Sequence, residues 1–371
     1  MTDPARRRSL GAAIGLTAAG LALSGRAGRS MAASGPEQAV AAARLGPAPA
    51  PGPGSSAVVD PATTTNPRPT RTFTFAIIGD TPYSTLEERS LRDVLASQPA
   101  SVVFVLHLGD LKSGWERCSD DLLRHRHGLL SASARPLVFV PGDNEWVDCT
   151  RLPAGGFDPL DRLEMLRRLF HQADPAPASA FGGFSRQPAS EGSTAFPEHM
   201  RWHHEGVGFL TLNVPGSHDA RSSEPRLAQA NSARRSAVLR WLDETRAWAS
   251  ASRLRALVIA SHANPNYERD RRGEPPVGAD DPDDAYAWWR QGLRTLAEKL
   301  PVPMLLLHGD THTYRIDRPL RDRNGHAIGH IVRLESYGTP RASRWLTVTI
   351  PAGPIVGFSI TSHELEATRR P

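Results

Sequence analysis

Short hydrophobic runs alternate with amphipathic stretches along most of this 371-residue chain. Six runs of four to eight mainly apolar residues have the length of buried strands. They cover residues 73–78, 102–108, 137–140, 207–214, 256–260 and 302–307. No internal repeat of fixed period is visible. The alternation predicts a single α/β domain of about 300 residues.

Helix-start signals stand between these runs. Ser84 and Glu87 form a capping box, and Asp158 before Pro159 supplies an N-cap followed by proline at the first helical position. Longer amphipathic stretches predict helices near residues 231–249 and 283–300. Beyond residue 312 the helical pattern ends, and the apolar runs at 328–334, 346–350 and 356–360 read as closing strands.

The first 70 residues have a different composition. Arg6, Arg7 and Arg8 precede a small-residue apolar run of about 13 residues, which is too short to span a bilayer comfortably. This order predicts an export signal of the twin-arginine type over residues 1–33, with an ordinary membrane anchor as the alternative. Residues 34–70 are rich in Ala, Pro and Gly and predict a linker before the domain at 71–371.

The positive charge is concentrated in the export signal. Five arginines and one aspartate precede residue 34, so the remaining chain carries one of the five net positive charges. A near-neutral mature protein lacks the basic face of a dedicated nucleic-acid binder. We therefore expect an exported protein, periplasmic or extracellular, with no nucleic-acid partner and no stable membrane span in its mature form.

The chain contains two cysteines, Cys118 and Cys149. In an oxidising compartment an even pair favours a disulfide, and two buried free thiols are the alternative. Each cysteine follows a polar loop by a few residues, so a bridge would join two loops.

Polar clusters follow five of the six hydrophobic runs. Open α/β sheets hold their sites at the carboxyl ends of their strands, and glycine before aspartate permits a sharp turn there. Several carboxylates with two imidazoles suit a pair of divalent ions such as Mn²⁺, Fe or Zn²⁺. The clusters are Gly79-Asp80, Gly109-Asp110, Gly142-Asp143-Asn144-Glu145, Ser261-His262 and Gly309-Asp310-Thr311-His312.

In order and spacing these blocks resemble the calcineurin-like metallophosphoesterases, which include the purple acid phosphatases. The resemblance covers about residues 73–361. It implies a four-layer α/β sandwich, two mixed sheets flanked by helices, and metal-dependent hydrolysis of phosphate mono- or diesters. It also implies that Asp80 binds the first metal, Asp110 bridges both, His262 binds the second and His312 returns to the first.

Three blocks depart from the family pattern. The first lacks the usual histidine, and Tyr83 is either a phenol ligand or a packed, hydrogen-bonded ring. Asp143 stands where the family has an asparagine ligand, and Asp310 replaces a histidine ligand. The additional carboxylates favour a harder ion, so Mn²⁺ is the expected metal.

The proton donor for the leaving group is the weakest part of the resemblance. Asn144 replaces the family's histidine and cannot transfer a proton, although its amide can orient a substrate. His308, His107 and His218 are candidate acids, with a satisfied structural histidine as the alternative for each.

Four further residues are candidates for substrate contacts. Lys112 and Ser113 follow Asp110 and either contact a phosphate oxygen or belong to a solvated loop. Asn213 and Ser217 end a hydrophobic run and either line the cleft or cap a turn.

The expected substrate is a small phosphoester. The main rival is a non-catalytic or regulatory metal-binding protein on the same fold, because Asn144 replaces the histidine. A serine hydrolase is a weaker rival, since no Gly-x-Ser-x-Gly elbow occurs. The oligomeric state does not follow from the sequence.

Overall fold

The computed structural model describes residues 40–44, 71–190, 194–267 and 284–365. The predicted export signal lies outside the described residues, as does most of the predicted linker. Strand β1 (Val40–Arg44) lies inside the segment predicted as linker and pairs antiparallel with the last strand of the chain.

The first sheet has six strands in the order β1-β13-β12-β2-β3-β4. Strands β2, β3 and β4 run parallel, so their carboxyl ends meet at one edge. β12 pairs antiparallel with both β2 and β13, which makes the sheet mixed. Besides β1, the strands are β2 (Phe73–Ile78), β3 (Val102–His107), β4 (Leu137–Phe139), β12 (Arg344–Ile350) and β13 (Gly357–Glu364).

The second sheet has seven strands in the order β10-β11-β9-β8-β7-β6-β5. β7, β8, β9 and β11 run parallel, while the outer strands β10, β6 and β5 pair antiparallel. The strands are β5 (Gly182–Gln187), β6 (Phe196–His204), β7 (Val207–Thr211), β8 (Ala256–Ala260), β9 (Met304–His308), β10 (Arg315–Asp317) and β11 (Ile331–Glu335).

Helices cover the outer face of each sheet. On the first sheet lie Thr85–Ala96, Asp120–Ser131 and Pro159–Leu166, the last of which continues into a wider π-helical turn, Arg167–His171. On the second sheet lie Pro225–Ala251 and Ala287–Lys299. Short 3₁₀ turns occupy Val147–Thr150 and Pro177–Ala180.

The core is arranged in layers. The inner faces of both sheets contribute to one cluster, in which the Phe104 ring stacks on Phe75 at 5.4 Å and meets Phe209 edge-on at 5.0 Å. The outer faces pack against the helices, for example Ile259 with Trp289. This arrangement confirms the predicted α/β sandwich of two mixed sheets flanked by helices.

All six hydrophobic runs form strands, with ends that differ by up to three residues. Both predicted N-caps are confirmed: Ser84 Oγ accepts from the Glu87 amide, and Asp158 Oδ1 accepts from the amides of Leu160 and Asp161. The capping box at Ser84 differs in its second half, since the Glu87 carboxylate accepts from the Tyr83 amide. Within the described residues, no helix is both long and apolar enough to cross a membrane.

Candidate metal centre

The polar clusters meet where the two sheets end side by side. Asp80, Asp110 and Asp143 follow the parallel strands β2, β3 and β4 within two to four residues. His262 and Asp310 follow β8 and β9 by two residues each. Because parallel strands present their carboxyl ends at the same edge, five separate segments of the chain deliver their side chains to one place.

Two overlapping groups of side chains have the geometry of a metal site. Oxygen and nitrogen atoms of Asp80, Asp110 and His262 lie within 4.8 Å of one another, and so do those of Asp143, His262 and Asp310. His312 lies beside the first group, with its Nε2 3.5 Å from Asp80 Oδ1. The structure therefore brings together the six Asp and His residues that the sequence predicted as ligands.

Backbone carbonyls fix the tautomers of both histidines. His262 Nδ1 lies 2.7 Å from the Leu108 carbonyl oxygen, and His312 Nδ1 lies 3.0 Å from that of Thr339. A carbonyl can only accept, so Nδ1 carries the proton in each ring and Nε2 is free to bind a metal. His262 Nε2 faces Asp143 Oδ1 at 3.0 Å and Asp110 Oδ1 at 3.4 Å.

The ligand residues have strained backbones. Asp80, Asp110, Asp310 and His312 have φ values of 52°, 58°, 76° and 55°. Residues other than glycine seldom adopt the left-handed region, and such strain concentrates at functional sites. The left-handed backbone conformation in these turns is therefore adopted largely by the candidate ligands themselves.

The neighbouring glycines have a different role from the one predicted. Gly309 and Gly142 have ordinary negative φ values, and a methyl group on either would overlap a ligand carboxylate, that of Asp80 or of Asp110. Only Gly109, with φ of 94°, supplies the conformational freedom that the sequence suggested. The glycines mainly make room for carboxylates from other blocks.

The buried carboxylates need a cation. Burial and neighbouring carboxylates raise the pKa of Asp110 well above its usual range, and burial raises the pKa of Asp310 to about 6. Asp80 Oδ2 is buried and accepts no hydrogen bond from the described residues. Because unpaired buried charges are costly, and because oxygen and imidazole donors suit divalent ions, this donor set fits bound metal.

Tyr83 joins the cluster through its hydroxyl. It donates to Asp110 Oδ2 at 2.8 Å and lies 3.4 Å from His312 Nε2. Burial and the nearby carboxylate of Asp110 raise the pKa of this phenol above its ordinary value. The contact is compatible with both sequence interpretations, so a ligand role for Tyr83 stays a prediction.

Asn144 is also part of the cluster. Its Nδ2 donates to Asp110 Oδ2 at 2.5 Å and to Tyr83 Oη at 3.0 Å, and its backbone amide donates to Asp110 Oδ1 at 3.0 Å. The side chain thus positions Asp110, and its role in orienting a substrate stays a prediction. It has no proton to transfer.

The prediction of His308 as a catalytic acid is wrong. Its ring is fully buried, its Nδ1 faces the Gly309 carbonyl at 2.9 Å, and burial lowers its pKa to about 3. His107 is similar, since its Nε2 lies 2.9 Å from the Thr81 carbonyl oxygen and burial lowers its pKa to about 4. Both rings are neutral at physiological pH because charging them inside the protein is unfavourable. His218 is exposed.

The four candidate substrate contacts have different positions in the structure. Ser113 lies in the loop after Asp110, where its Oγ accepts from the Trp115 amide at 3.2 Å. Lys112 is buried and donates to the carbonyls of Ser113 and Asn144, so it supports the loop instead of facing a ligand. Asn213 is buried next to Glu198, 3.3 Å away. Ser217 lines the site, with its Oγ 2.7 Å from Asp143 Oδ2.

Three residues at the site had no role in the sequence interpretation. Glu145 Oε1 accepts from the amides of Gly142 and Asp110 and so shapes the loop beneath the cluster. Asp148 Oδ1 lies 2.7 Å from Ser217 Oγ, and Arg151 Nη2 lies 2.7 Å from Asp148 Oδ2. The sequence signal for these three residues was the number of charged side chains that closely follow Asp143.

The predicted disulfide is present. Cys118 and Cys149 are bonded, with 5.6 Å between their α carbons. The bridge is buried and joins the loop after Asp110 to the loop after Asp143. Free thiols are thereby excluded for this pair.

Comparisons with known proteins do not identify a family. No known family model matches the chain, and no curated protein matches it. Among solved structures, 26 chains match. One is GAP50, the anchor in the inner membrane complex of Plasmodium, which is 11% identical with a TM-score of 0.39 over 81% of this chain and 86% of that chain. The assignment of a function therefore depends on the residues of the metal centre.

Proposed function

We propose that this protein hydrolyses phosphate esters with a pair of divalent metal ions. One observation carries the proposal: two groups of candidate ligand atoms, which overlap at His262, lie buried where strands of both sheets end, and His312 lies beside the first group and can replace His262 in it. Two adjacent ion positions are the arrangement that phosphoryl transfer uses to neutralise attacking and leaving oxygens.

Each residue of the cluster has a role in this proposal. Asp80, Asp110 and His312 would hold one ion, and Asp143, His262 and Asp310 the other, with Asp110 as the shared carboxylate. Mn²⁺ is favoured over Fe or Zn²⁺ because four carboxylates outnumber two imidazoles.

Bound ions would polarise the phosphoryl oxygens and lower the pKa of a water molecule. Such a water molecule, having released a proton to the solvent, would form a bond from its oxygen to phosphorus while the bond to the ester oxygen breaks, and the leaving oxygen would take the electron pair. Asn144 cannot protonate that oxygen. The residues present therefore favour esters whose leaving group is stable as an anion.

Asn144 also favours a second candidate function. A protein that retained the metal ligands but lost the proton donor would bind metal without hydrolysis, as a regulatory or structural module. Export to the periplasm or beyond is proposed for either function, because disulfides persist in oxidising compartments.

The test uses the full chain loaded with Mn²⁺ and measures hydrolysis of an aryl phosphodiester and the matching monoester. Asp110→Asn removes the central carboxylate and should abolish turnover and weaken metal binding at least about 100-fold. Val356→Ala serves as the matched control, because this exposed residue precedes β13 at the end of the sheet where β2 begins, away from the carboxyl ends that hold the site. Stoichiometric metal without turnover would support the binding protein instead.

A further inference from the structure

An exposed tryptophan stands beside the metal centre. Trp115 is 69% exposed, although tryptophan side chains usually bury most of their large apolar area. It lies five residues after Asp110, in the loop that leaves the carboxyl end of β3. Leu152, at 89%, is also strongly exposed and follows Arg151 directly. Apolar surface at the rim of a polar site indicates a ligand that is partly apolar.

Arg151 links this rim to the cluster. Its Nη2 contacts Asp148 Oδ2 at 2.7 Å and Ser217 Oγ at 3.4 Å, and Ser217 Oγ in turn contacts Asp143 Oδ2. The guanidinium is therefore one side chain away from a metal ligand. Its contacts with described residues use Nη2, so Nη1 and Nε remain available to an anion. Guanidinium groups bind phosphoryl oxygens through paired hydrogen bonds.

Trp115 and Arg151 adjoin one another. The Arg151 guanidinium carbon lies 5.8 Å from the centre of the Trp115 ring, within the range of a cation–π contact. Between them, Gly114 lacks a side chain, and a methyl group there would lie 2.7 Å from Asn144 Oδ1 and 2.9 Å from Arg151 Nη1. The backbone at Gly114 thus packs closely against the amide of Asn144 and the guanidinium of Arg151, next to the indole.

Both loops are held in place. The disulfide between Cys118 and Cys149 ties the loop of Trp115 to the loop of Arg151. The Trp115 amide also donates to Ser113 Oγ at 3.2 Å, and Glu116 pairs with the buried Arg126 at 2.8 Å. An exposed aromatic ring on a fixed loop loses little conformational freedom when a ligand binds.

We propose that Trp115 and Arg151 form a platform for phosphoesters with a planar aromatic leaving group. The proposal rests on phosphate ester hydrolysis as the function of the metal centre. Arg151 holds the phosphoryl oxygens at the rim, and the aromatic group stacks on Trp115. The inability of Asn144 to donate a proton favours the same class of aryl esters, because an aryloxide leaves without protonation more easily than an alkoxide.

The test measures binding without turnover. Phenylphosphonate and methylphosphonate, which have no ester bond to break, are titrated calorimetrically into the Mn²⁺-loaded full chain. The phenyl compound should bind about 3- to 10-fold more tightly, as expected for one aromatic contact. Trp115→Ala should remove this preference, Trp115→Phe should retain most of it, and Val356→Ala should leave it unchanged.

Arg151 is tested with the same two ligands. Arg151→Met should weaken the binding of both phosphonates about 10-fold, because it removes a charged contact to the group that they share. Arg151→Lys should recover part of the loss. Gly114→Ala should weaken both ligands without changing the fold, because its methyl group displaces Asn144 and Arg151.

Equal affinity for the two phosphonates in the unmodified protein would overturn the platform. A preference that survives Trp115→Ala but disappears in Leu227→Ala would also overturn it, since Leu227 lines a separate cavity of about 410 Å³. Failure of both phosphonates to bind would also overturn the platform. Turnover without a phenyl preference refutes the platform alone, and a phenyl preference without turnover refutes hydrolysis alone.

Discussion

At the scale of single residues, the metal centre depends on its glycines as much as on its Asp and His residues. Gly309 and Gly142 pack their α carbons against the carboxylates of Asp80 and Asp110. Each aspartate comes from a different strand end, and the space for it exists only because the neighbouring residue has no Cβ. This explains why glycines precede the ligands even where the backbone does not need them.

Gly309→Ala should therefore disturb metal binding more than folding. The new methyl group displaces Asp80, so we expect Mn²⁺ affinity to fall about 10- to 100-fold, as for changes that misplace a ligand. The free energy of unfolding of the metal-free protein should fall by about 1–3 kcal/mol from overpacking. Metal titration and urea unfolding measure the two quantities.

Gly329→Ala is the matched control. No atom lies within 4 Å of a Cβ at that position, so neither quantity should change appreciably. Unaltered metal affinity in Gly309→Ala would contradict the proposed packing of the glycine against Asp80.

The ligand residues themselves could be predicted from the sequence, because strand ends are legible and polar blocks follow them. His308 shows the limit of that reasoning. It is adjacent to Gly309 and Asp310, yet its ring is fully buried beside Glu335 of β11, with 4.0 Å between Nε2 and Oε2. Proximity along the chain therefore did not place it in the site.

At the scale of elements, the helix Asp120–Ser131 contains an exposed glycine that contributes no packing. Gly128 has no neighbour within 4 Å of a Cβ position and lies in the helix interior. Gly128→Ala should raise the free energy of unfolding by about 0.5–1 kcal/mol, because alanine loses less backbone entropy in a helix. Urea unfolding measures the change, and a decrease would mean that the helix frays there.

The two loops that approach the metal centre form a unit through the Cys118–Cys149 disulfide. The bond closes a loop with a sequence separation of 31 residues. Replacing both cysteines with serine should lower the free energy of unfolding by about 3–4 kcal/mol, mainly through the entropy of the unfolded chain. The unmodified protein with a strong reductant should unfold like the double variant; equal stability in all three samples would contradict this.

The sequence predicted those strands and helices whose hydrophobic side chains follow a single pattern along the chain. Buried parallel strands such as β3 and β8 are continuous apolar runs, and N-caps such as Ser84 are local signals. β6 was not predicted because its buried positions include Glu198 and His199, which read as polar. The strand β1 was not predicted either, since its short sequence lies within a composition typical of linkers.

At the scale of the whole molecule, a buried ion pair joins the helical layer to the second sheet. Arg167 donates to both oxygens of Glu198 at 2.9 and 2.7 Å, and Glu198 is fully buried. Burial acts to raise the pKa of Glu198, but the charge and hydrogen bonds of Arg167 outweigh it and lower the pKa to about 2.

This lowered pKa makes stability depend on pH. A carboxyl with a folded pKa below its unfolded value stabilises the fold above the unfolded value, about 4.3, and the contribution is lost as pH falls towards 2. It amounts to about 3 kcal/mol at neutral pH. Glu198→Gln should therefore reduce the slope of unfolding free energy against pH between about 4.5 and 3.

Urea unfolding across that range checks the slope, with the unmodified chain as reference. Arg167→Met should destabilise the protein by about 3–5 kcal/mol at neutral pH, because it leaves a buried charge without a partner. An unchanged slope in Glu198→Gln would show that Glu198 ionises normally in the folded protein.

The sequence by itself determined the hydrophobic layers and the order of the polar blocks, because both are set by local patterning. It favoured a disulfide between the only two cysteines, and the structure decided that the bond forms. Only the tertiary structure decided which side chains share the metal centre. Arg151, Asp148 and Trp115 belong to its rim because two loops from different strands are brought together, and no local period encodes that contact. The structure likewise excluded His308 as an acid, since its burial and the resulting low pKa follow from packing that no local pattern encodes.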